Sequence, residues 1–91
     1  MGTSPYRISF APKAAHQLAN LPRTAQQRIR TRIDALAENP RPRGVVKLVG
    51  VEGAYRLRVG DYRMIYRVED VDLLVLVLKI GHRRDVYKGR G

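Results

Sequence analysis

The segment YRLRVGDYRMIYRV, residues 55–68, decides the fold of this 91-residue chain because it has the pattern of a β-hairpin. Apolar side chains alternate with charged ones on both sides of Gly60 and Asp61. A glycine followed by an aspartate suits a two-residue hairpin loop. The segment therefore predicts two antiparallel strands, over residues 54–59 and 62–68.

The loop also fixes which side chains share a face of the hairpin. With Val59 paired to Tyr62, the apolar pairs Leu57–Met64 and Tyr55–Tyr66 lie on one face, and Arg58–Arg63 and Arg56–Ile65 lie on the other. Directly opposed like charges destabilise a sheet by a few tenths to about 1 kcal/mol. A bound phosphate is the simplest group that would offset this cost. The alternative is that these arginines only face solvent and discourage edge-to-edge aggregation.

The sequence outside the hairpin predicts two helices and two further strands. We expect a strand over 6–10, a helix from Pro12 to before Pro22, a second helix over 23–38 and a last strand over 72–80. The last strand, DLLVLVLKI, is almost entirely apolar, so we expect it to be central and buried on both faces. The order β-α-α-β-β-β predicts an α+β fold: one domain over 1–91, with a small curved, mostly antiparallel four-stranded sheet and both helices packed on one face.

The composition indicates an anionic partner. Eighteen Lys and Arg against eight Asp and Glu give a formal charge of +10, and most of the cations are arginine, whose planar fork suits phosphate. Cysteine is absent, and His16 and His82 do not have metal-ligand spacing, so we expect no metal and no cofactor. The longest apolar run is far shorter than the roughly 20 residues that span a bilayer. We therefore expect a cytoplasmic protein without a membrane partner.

The segment KIGHRRDVY, residues 79–87, adds chemically active side chains after the last strand. His82, Arg83, Arg84 and Tyr87 fall within six residues. Guanidinium groups stabilise charge on a phosphate, and an imidazole or a phenol can transfer a proton. These residues would suit RNA cleavage. Two plainer interpretations remain open: Tyr87 packs on the sheet, and His82 only ends the strand.

Together these segments resemble the RelE family of toxins, within the RelE/ParE superfamily. The resemblance covers essentially the whole chain, through YRISF, ENPRP, KLVG, the hairpin and VLKIGHRRDVY; GDYRMIYRV and IGHRRDVY are the most specific segments. It implies ribosome-dependent cleavage of mRNA in the A site, by attack of a ribose 2′-OH on the adjacent phosphate. It also implies a RelB-like acidic antitoxin, and binding to operator DNA only as the toxin-antitoxin complex.

The resemblance also implies which residues form the site. The family's two basic positions on the first hairpin strand correspond to Arg56 and Arg58, and its arginine on the return strand corresponds to Arg63. The arginine after the last strand corresponds to Arg83, and the C-terminal tyrosine corresponds to Tyr87. We assign phosphate binding to Arg56, Arg58, Arg84 and Lys47, charge stabilisation to Arg63 and Arg83, and proton transfer to His82 or Tyr87. Well-known members carry lysine at the first two positions. Arginine holds its proton too firmly to act as a base.

Two other functions are compatible with the sequence. ParE-type relatives share the fold but inhibit DNA gyrase, and such an inhibitor has no chemical reason to gather Arg56, Arg58, Arg63, Arg83 and Tyr87. A plain nucleic-acid-binding module would use the same arginines without chemistry, and its affinity would fall steeply with salt. We favour the ribosome and mRNA as the target.

Overall fold

The computed structural model describes residues 5–82 and has the predicted α+β fold. Its elements are β1 (Arg7–Phe10), α1 (Pro12–Ala19), α2 (Arg23–Glu38), β2 (Val46–Lys47), β3 (Ala54–Val59), β4 (Tyr62–Glu69) and β5 (Leu74–His82). Helix α2 and strand β3 have the predicted bounds. The ends of β1, β4 and β5 differ from the prediction by one or two residues. Of the residues described, no helix is both long and apolar enough to cross a membrane.

The sheet has five strands in the order β1-β5-β4-β3-β2, so the predicted number of four is wrong. The missed strand, β2, has two exposed residues, and it exists because Val46 and Lys47 pair with Arg56 and Tyr55 of β3. Such a short strand has no alternating pattern of its own. The sheet is mostly antiparallel, as predicted, but β1 runs parallel to β5.

The hairpin has the predicted register throughout. Val59 pairs with Tyr62, and Arg58 lies directly opposite Arg63. Gly60, the first loop residue, has φ +60°, the left-handed conformation that the first position of a type II′ turn requires. A side chain at Gly60 would therefore be strained, so this glycine helps to hold the register.

Both helices pack on one face of the sheet, as predicted. The buried residues of α2 are those whose spacing indicated an apolar face: Ala25, Ile29, Ile33, Leu36 and Ala37. Of these, Ile29, Ile33 and Leu36 join Ala14 and Leu18 of α1 and the alternate side chains of β3, β4 and β5 in one core. The other face of the sheet is left without a helix from residues 5–82, and it carries the hairpin arginines.

Strand β5 is internal, as predicted, but it is not buried on both faces. Val75 and Val77 are fully buried under the helices, whereas Leu74 and Leu76 on the open face are only half-buried. The register of β5 on β4 then shifts at a bulge: Tyr66 pairs with Val77, but Ile65 pairs with Lys79. This shift turns Ile80 into the core and Lys79 away from it.

A polar cluster ties the loop after α2 to the sheet at the end away from the hairpin loop. Arg41 donates two hydrogen bonds to Asp70, of 2.7 and 3.2 Å, and a third to the Tyr55 hydroxyl at 2.9 Å. The Tyr6 hydroxyl donates to the same carboxylate at 2.6 Å. Below this cluster the Tyr66 hydroxyl donates to the Pro40 carbonyl at 2.6 Å, and burial raises the pKa of Tyr66 to about 12.

We expect the Asp70 carboxylate to make stability pH-dependent. The hydrogen bonds from Arg41, and then from Tyr6, lower the pKa of Asp70 in the folded protein. Its contribution is therefore complete above about pH 4, the ordinary range of an aspartate, and is lost as the pH falls through the folded pKa. Urea denaturation measures the free energy of unfolding of wild type and of Asp70→Asn. Wild type should be the more stable of the two near neutral pH, and this difference should shrink in acid.

Asp34→Asn is the matched control for this measurement, because it removes one exposed carboxylate from α2. A difference for Asp70→Asn that does not shrink as the pH falls below about 4 would contradict the assignment.

Candidate nucleic-acid interface

Three arginines lie next to one another on the open face of the hairpin. Arg58 and Arg63 are directly opposed, and Arg56 is two residues from Arg58 on the same strand and therefore on the same face. Arg56 is opposite Ile65, which has Lys79 of β5 on its other side. We name Arg56, Arg58 and Arg63 the arginine face.

Arg63 lies at the centre of this site. Strand β4 runs between β3 and β5, so neighbours on both sides cover Arg63, and the residue is only 8% exposed. One of its guanidinium nitrogens, Nη1, donates to the Tyr62 carbonyl at 3.2 Å. Among residues 5–82, neither Arg63 nor Arg58 forms an ion pair with a carboxylate. Two opposed cations, one of them buried, therefore lie without an anion of the described chain between them, which favours binding of an external anion.

The fourth hairpin arginine has a partner. Arg67 lies farther from the loop, and its guanidinium contacts the Glu69 carboxylate at 2.8 and 3.2 Å. Asp61, in the loop itself, lines a small cavity with Arg28 on the helix side of the sheet. Of the four hairpin arginines, Arg56, Arg58 and Arg63 are the three nearest the loop.

Two predicted site residues lie away from the arginine face. His82 pairs with Tyr62, which shares the helix-covered face with Val59, and the His82 and Tyr62 rings meet edge-to-face with centroids 5.7 Å apart. Lys47 pairs with Tyr55, also on the helix side. The register therefore separates both residues from Arg56, Arg58 and Arg63, and their assigned roles stay predictions.

The remaining predicted site residues, Arg83, Arg84 and Tyr87, lie outside the described residues. The structure adds Lys79, which sequence reasoning missed. Strict alternation along β5 places Lys79 with Val75 and Val77 in the core, and only the bulge brings it to the open side. Among residues 5–82, no three His, Asp or Glu side chains form a group that could hold a metal ion.

Residues 8–87 match the family described as ParE toxin of the type II toxin-antitoxin system, parDE. The chain belongs to the RelE/ParE superfamily of toxins. Within this superfamily it is similar to toxin RelG of Mycobacterium tuberculosis, with 29% identity over 85 residues that cover 92% of this chain and 98% of RelG. It is also similar to the mRNA interferase toxin RelE of Escherichia coli, with 29% identity over 80 residues that cover 86% of this chain and 83% of RelE.

A solved structure supports the same membership. The toxin resembles a chain of the archaeal RelE-RelB complex from Pyrococcus horikoshii, with 34% identity, a TM-score of 0.78 and coverage of 96% of this chain and 99% of that one. The resemblance to RelE inferred from the hairpin and the C-terminal segment is thereby confirmed. The chain is a RelE-type toxin of a type II toxin-antitoxin system.

The opposition of Arg58 and Arg63 should make the arginine face a source of instability in the free toxin. We expect Arg58→Gln, which keeps a long polar side chain, to raise the free energy of unfolding by about 0.2–1 kcal/mol at low ionic strength. The gain should decrease with added salt, because salt screens the repulsion. Urea denaturation at low and high salt measures both effects.

Arg7→Gln is the control, since Arg7 is an exposed strand arginine that pairs with Leu74 and not with another cation. A gain in Arg7→Gln equal to that in Arg58→Gln would show that net charge, and not the opposed pair, sets the effect.

Proposed function

We propose that this toxin cleaves mRNA in the ribosomal A site. The observation that carries the proposal is the arginine face, where Arg58 lies opposite the buried Arg63 with no carboxylate among residues 5–82 in an ion pair with either. A similar protein named mRNA interferase toxin RelE gives independent support. An RNA backbone supplies the anion that this face favours.

The cleavage chemistry follows from the ribose of the RNA. The 2′-oxygen attacks the adjacent phosphorus, its proton passes to a base, and the bond from phosphorus to the 5′-oxygen breaks. The products are a 2′,3′-cyclic phosphate and a 5′-hydroxyl, which receives a proton from an acid. The nucleophile belongs to the substrate, so no metal-bound water is required. Charge develops on the phosphoryl oxygens, and Arg58 and Arg63 supply fixed cations that stabilise it. Arg56 binds a neighbouring phosphate.

Proton transfer requires a residue other than these arginines, because a guanidinium does not release its proton at neutral pH. An imidazole titrates closer to neutral pH than a phenol, which favoured His82 on chemical grounds. The register places His82 on the helix side of the sheet, away from Arg58 and Arg63. This placement favours Tyr87 for proton transfer, and we assign Arg83 the role of a further cation that stabilises the transition state.

The main test maps the ends of a defined mRNA by primer extension in a purified translation reaction, with and without ribosomes. Wild type should produce cuts within codons that depend on ribosomes. The double variant Arg58→Gln/Arg63→Gln should lose cleavage by at least about 100-fold, the scale for removing one preorganised charge-stabilising group. Circular dichroism and urea denaturation verify that the variant is folded.

The matched control is Arg23→Gln/Arg30→Gln, which removes two exposed arginines from α2. It changes the net charge equally but should leave the positions of the cuts unchanged. Intact message in the wild-type reaction would overturn the proposal, and inhibition of gyrase supercoiling by the same sample would establish the ParE-type alternative. Salt-sensitive RNA binding without cleavage would instead indicate a nucleic-acid-binding module.

A second pair of variants tests the proton-transfer assignment. Tyr87→Phe should reduce cleavage by roughly 100-fold or more, within the range for loss of a general acid or base. His82→Gln should keep a cleavage profile between about pH 6 and 8 of the same shape as wild type. The profile is measured with a fixed message and saturating ribosomes. If cleavage by His82→Gln no longer depended on pH near neutrality as cleavage by wild type does, proton transfer would be assigned to the His82 imidazole instead.

The proposal includes an acidic, RelB-like antitoxin as partner. A surface of formal charge +10 attracts an acidic chain and accelerates its capture. Competition for the arginine face, or displacement of the Tyr87 segment, would neutralise the toxin. Binding to operator DNA belongs to the toxin-antitoxin complex, and the site of action is the cytoplasm, where the ribosomes are.

A further inference from the structure

An open cleft of roughly 530 Å³ lies between α1 and the end of β5, on the helix side of the sheet. It exists because β1 pairs only with Leu74–Val77, so that no strand of residues 5–82 covers the outer edge of β5 beyond Val77. Helix α1 lies alongside this edge, and the Gln17 side-chain oxygen accepts a hydrogen bond from the Ile80 amide at 2.8 Å. The cleft is therefore fixed on both sides by ordered backbone.

The walls of the cleft combine lysine and histidine side chains with aromatic rings. Lys13 and His16 lie three residues apart on one side of α1, and both are exposed. Tyr62 and His82 line the opposite wall with their edge-to-face ring pair. Asp and Glu are absent from the described lining. Cations beside an aromatic platform are the elements that proteins use to bind a phosphate and a stacked base of a single strand.

The cleft and the arginine face adjoin each other through neighbouring residues of β4 and β5. Arg63 and Tyr62 are consecutive residues that point to opposite sides of β4, and they pair with Gly81 and His82 of β5. Gly81 lines the cleft and has no side chain to separate the two surfaces, and Lys79, opposite Ile65, lines it as well. A strand that binds Arg58 and Arg63 can therefore pass over Gly81 into the cleft.

We infer that this cleft binds one nucleotide of the RNA strand adjacent to the scissile phosphate. Lys13 and His16 bind its phosphate, and its base stacks on the Tyr62 and His82 rings. The volume lies within the range of about 300–1,000 Å³ typical of small-molecule sites. This inference rests on the proposed function, since it extends the substrate path of the arginine face. It gives His82 a substrate-binding role in place of proton transfer.

Binding to RNA that cannot be cleaved tests this inference separately from catalysis. The probes are fluorescein-labelled 2′-O-methyl RNA of three and six nucleotides, in which the attacking hydroxyl is blocked. Wild type should bind the hexamer at least about fivefold more tightly than the trimer, the lower limit for one additional stacked base. In Lys13→Ala/His16→Ala this advantage should disappear while the affinity for the trimer stays unchanged.

The matched control is Gln27→Ala/Arg30→Ala, which has the same i, i+3 spacing and removes one exposed cation and one exposed polar side chain from α2. It should keep the advantage of the hexamer. Two results with Lys13→Ala/His16→Ala would overturn the inference. One is an equal loss of affinity for trimer and hexamer, and the other is an unchanged preference for the hexamer.

A spectroscopic measurement tests the stacking on its own. Two hexamers carry 2-aminopurine at either the 5′ or the 3′ end, and stacking of this base quenches its fluorescence. We expect wild type to quench the 2-aminopurine fluorescence at one end of the hexamer, and we expect this quenching to be lost in His82→Ala. Equal quenching by wild type and His82→Ala would exclude the His82 platform. These binding measurements distinguish failure of this inference from failure of the proposed function. An uncut message together with preserved binding of the hexamer would refute cleavage, but the cleft would still be an RNA-binding site.

Discussion

The two-residue loop at Gly60-Asp61 is the constraint on which the rest of the toxin depends. It fixes Val59 opposite Tyr62, and from that pair every side chain of β3 and β4 is assigned to a face. A slip of one residue would place the arginines under the helices and expose Leu57 and Met64. The positive φ of Gly60 and the apolar pairs on the helix side therefore hold the same register that opposes Arg58 and Arg63.

Much of the fold could be predicted because its signals are local. The bounds of α2 follow from Pro22 before it, Asn39-Pro40 after it and a regular apolar spacing between them. The hairpin follows from its loop and its alternation. The arginine face was predictable for the same reason, since the length of the loop alone determines which residues of the two strands pair.

The features that were missed all depend on contacts between distant segments. Strand β2 is created by its pairing with β3, and the parallel pairing of β1 with β5 brings together residues more than 60 positions apart. The bulge opposite Ile65 and Tyr66 decides the face of Lys79. The side on which His82 lies follows from the same register shift. Chemical suitability alone had placed His82 with the arginines.

The two ion pairs of the described residues lie at one end of the sheet. Glu69 and Asp70 pair with Arg67 and Arg41 at the end of the sheet away from the loop. The Arg41–Asp70 pair ties the loop after α2 to this end of the sheet, and at the opposite end Arg58 and Arg63 lack such partners among residues 5–82. The fold thus stabilises one end with ion pairs and leaves repulsion at the other, where a phosphate can relieve it. A phosphate bound between Arg58 and Arg63 would relieve a repulsion already present in the folded protein, so the RNA site that we propose would gain affinity at the expense of the stability of the free toxin.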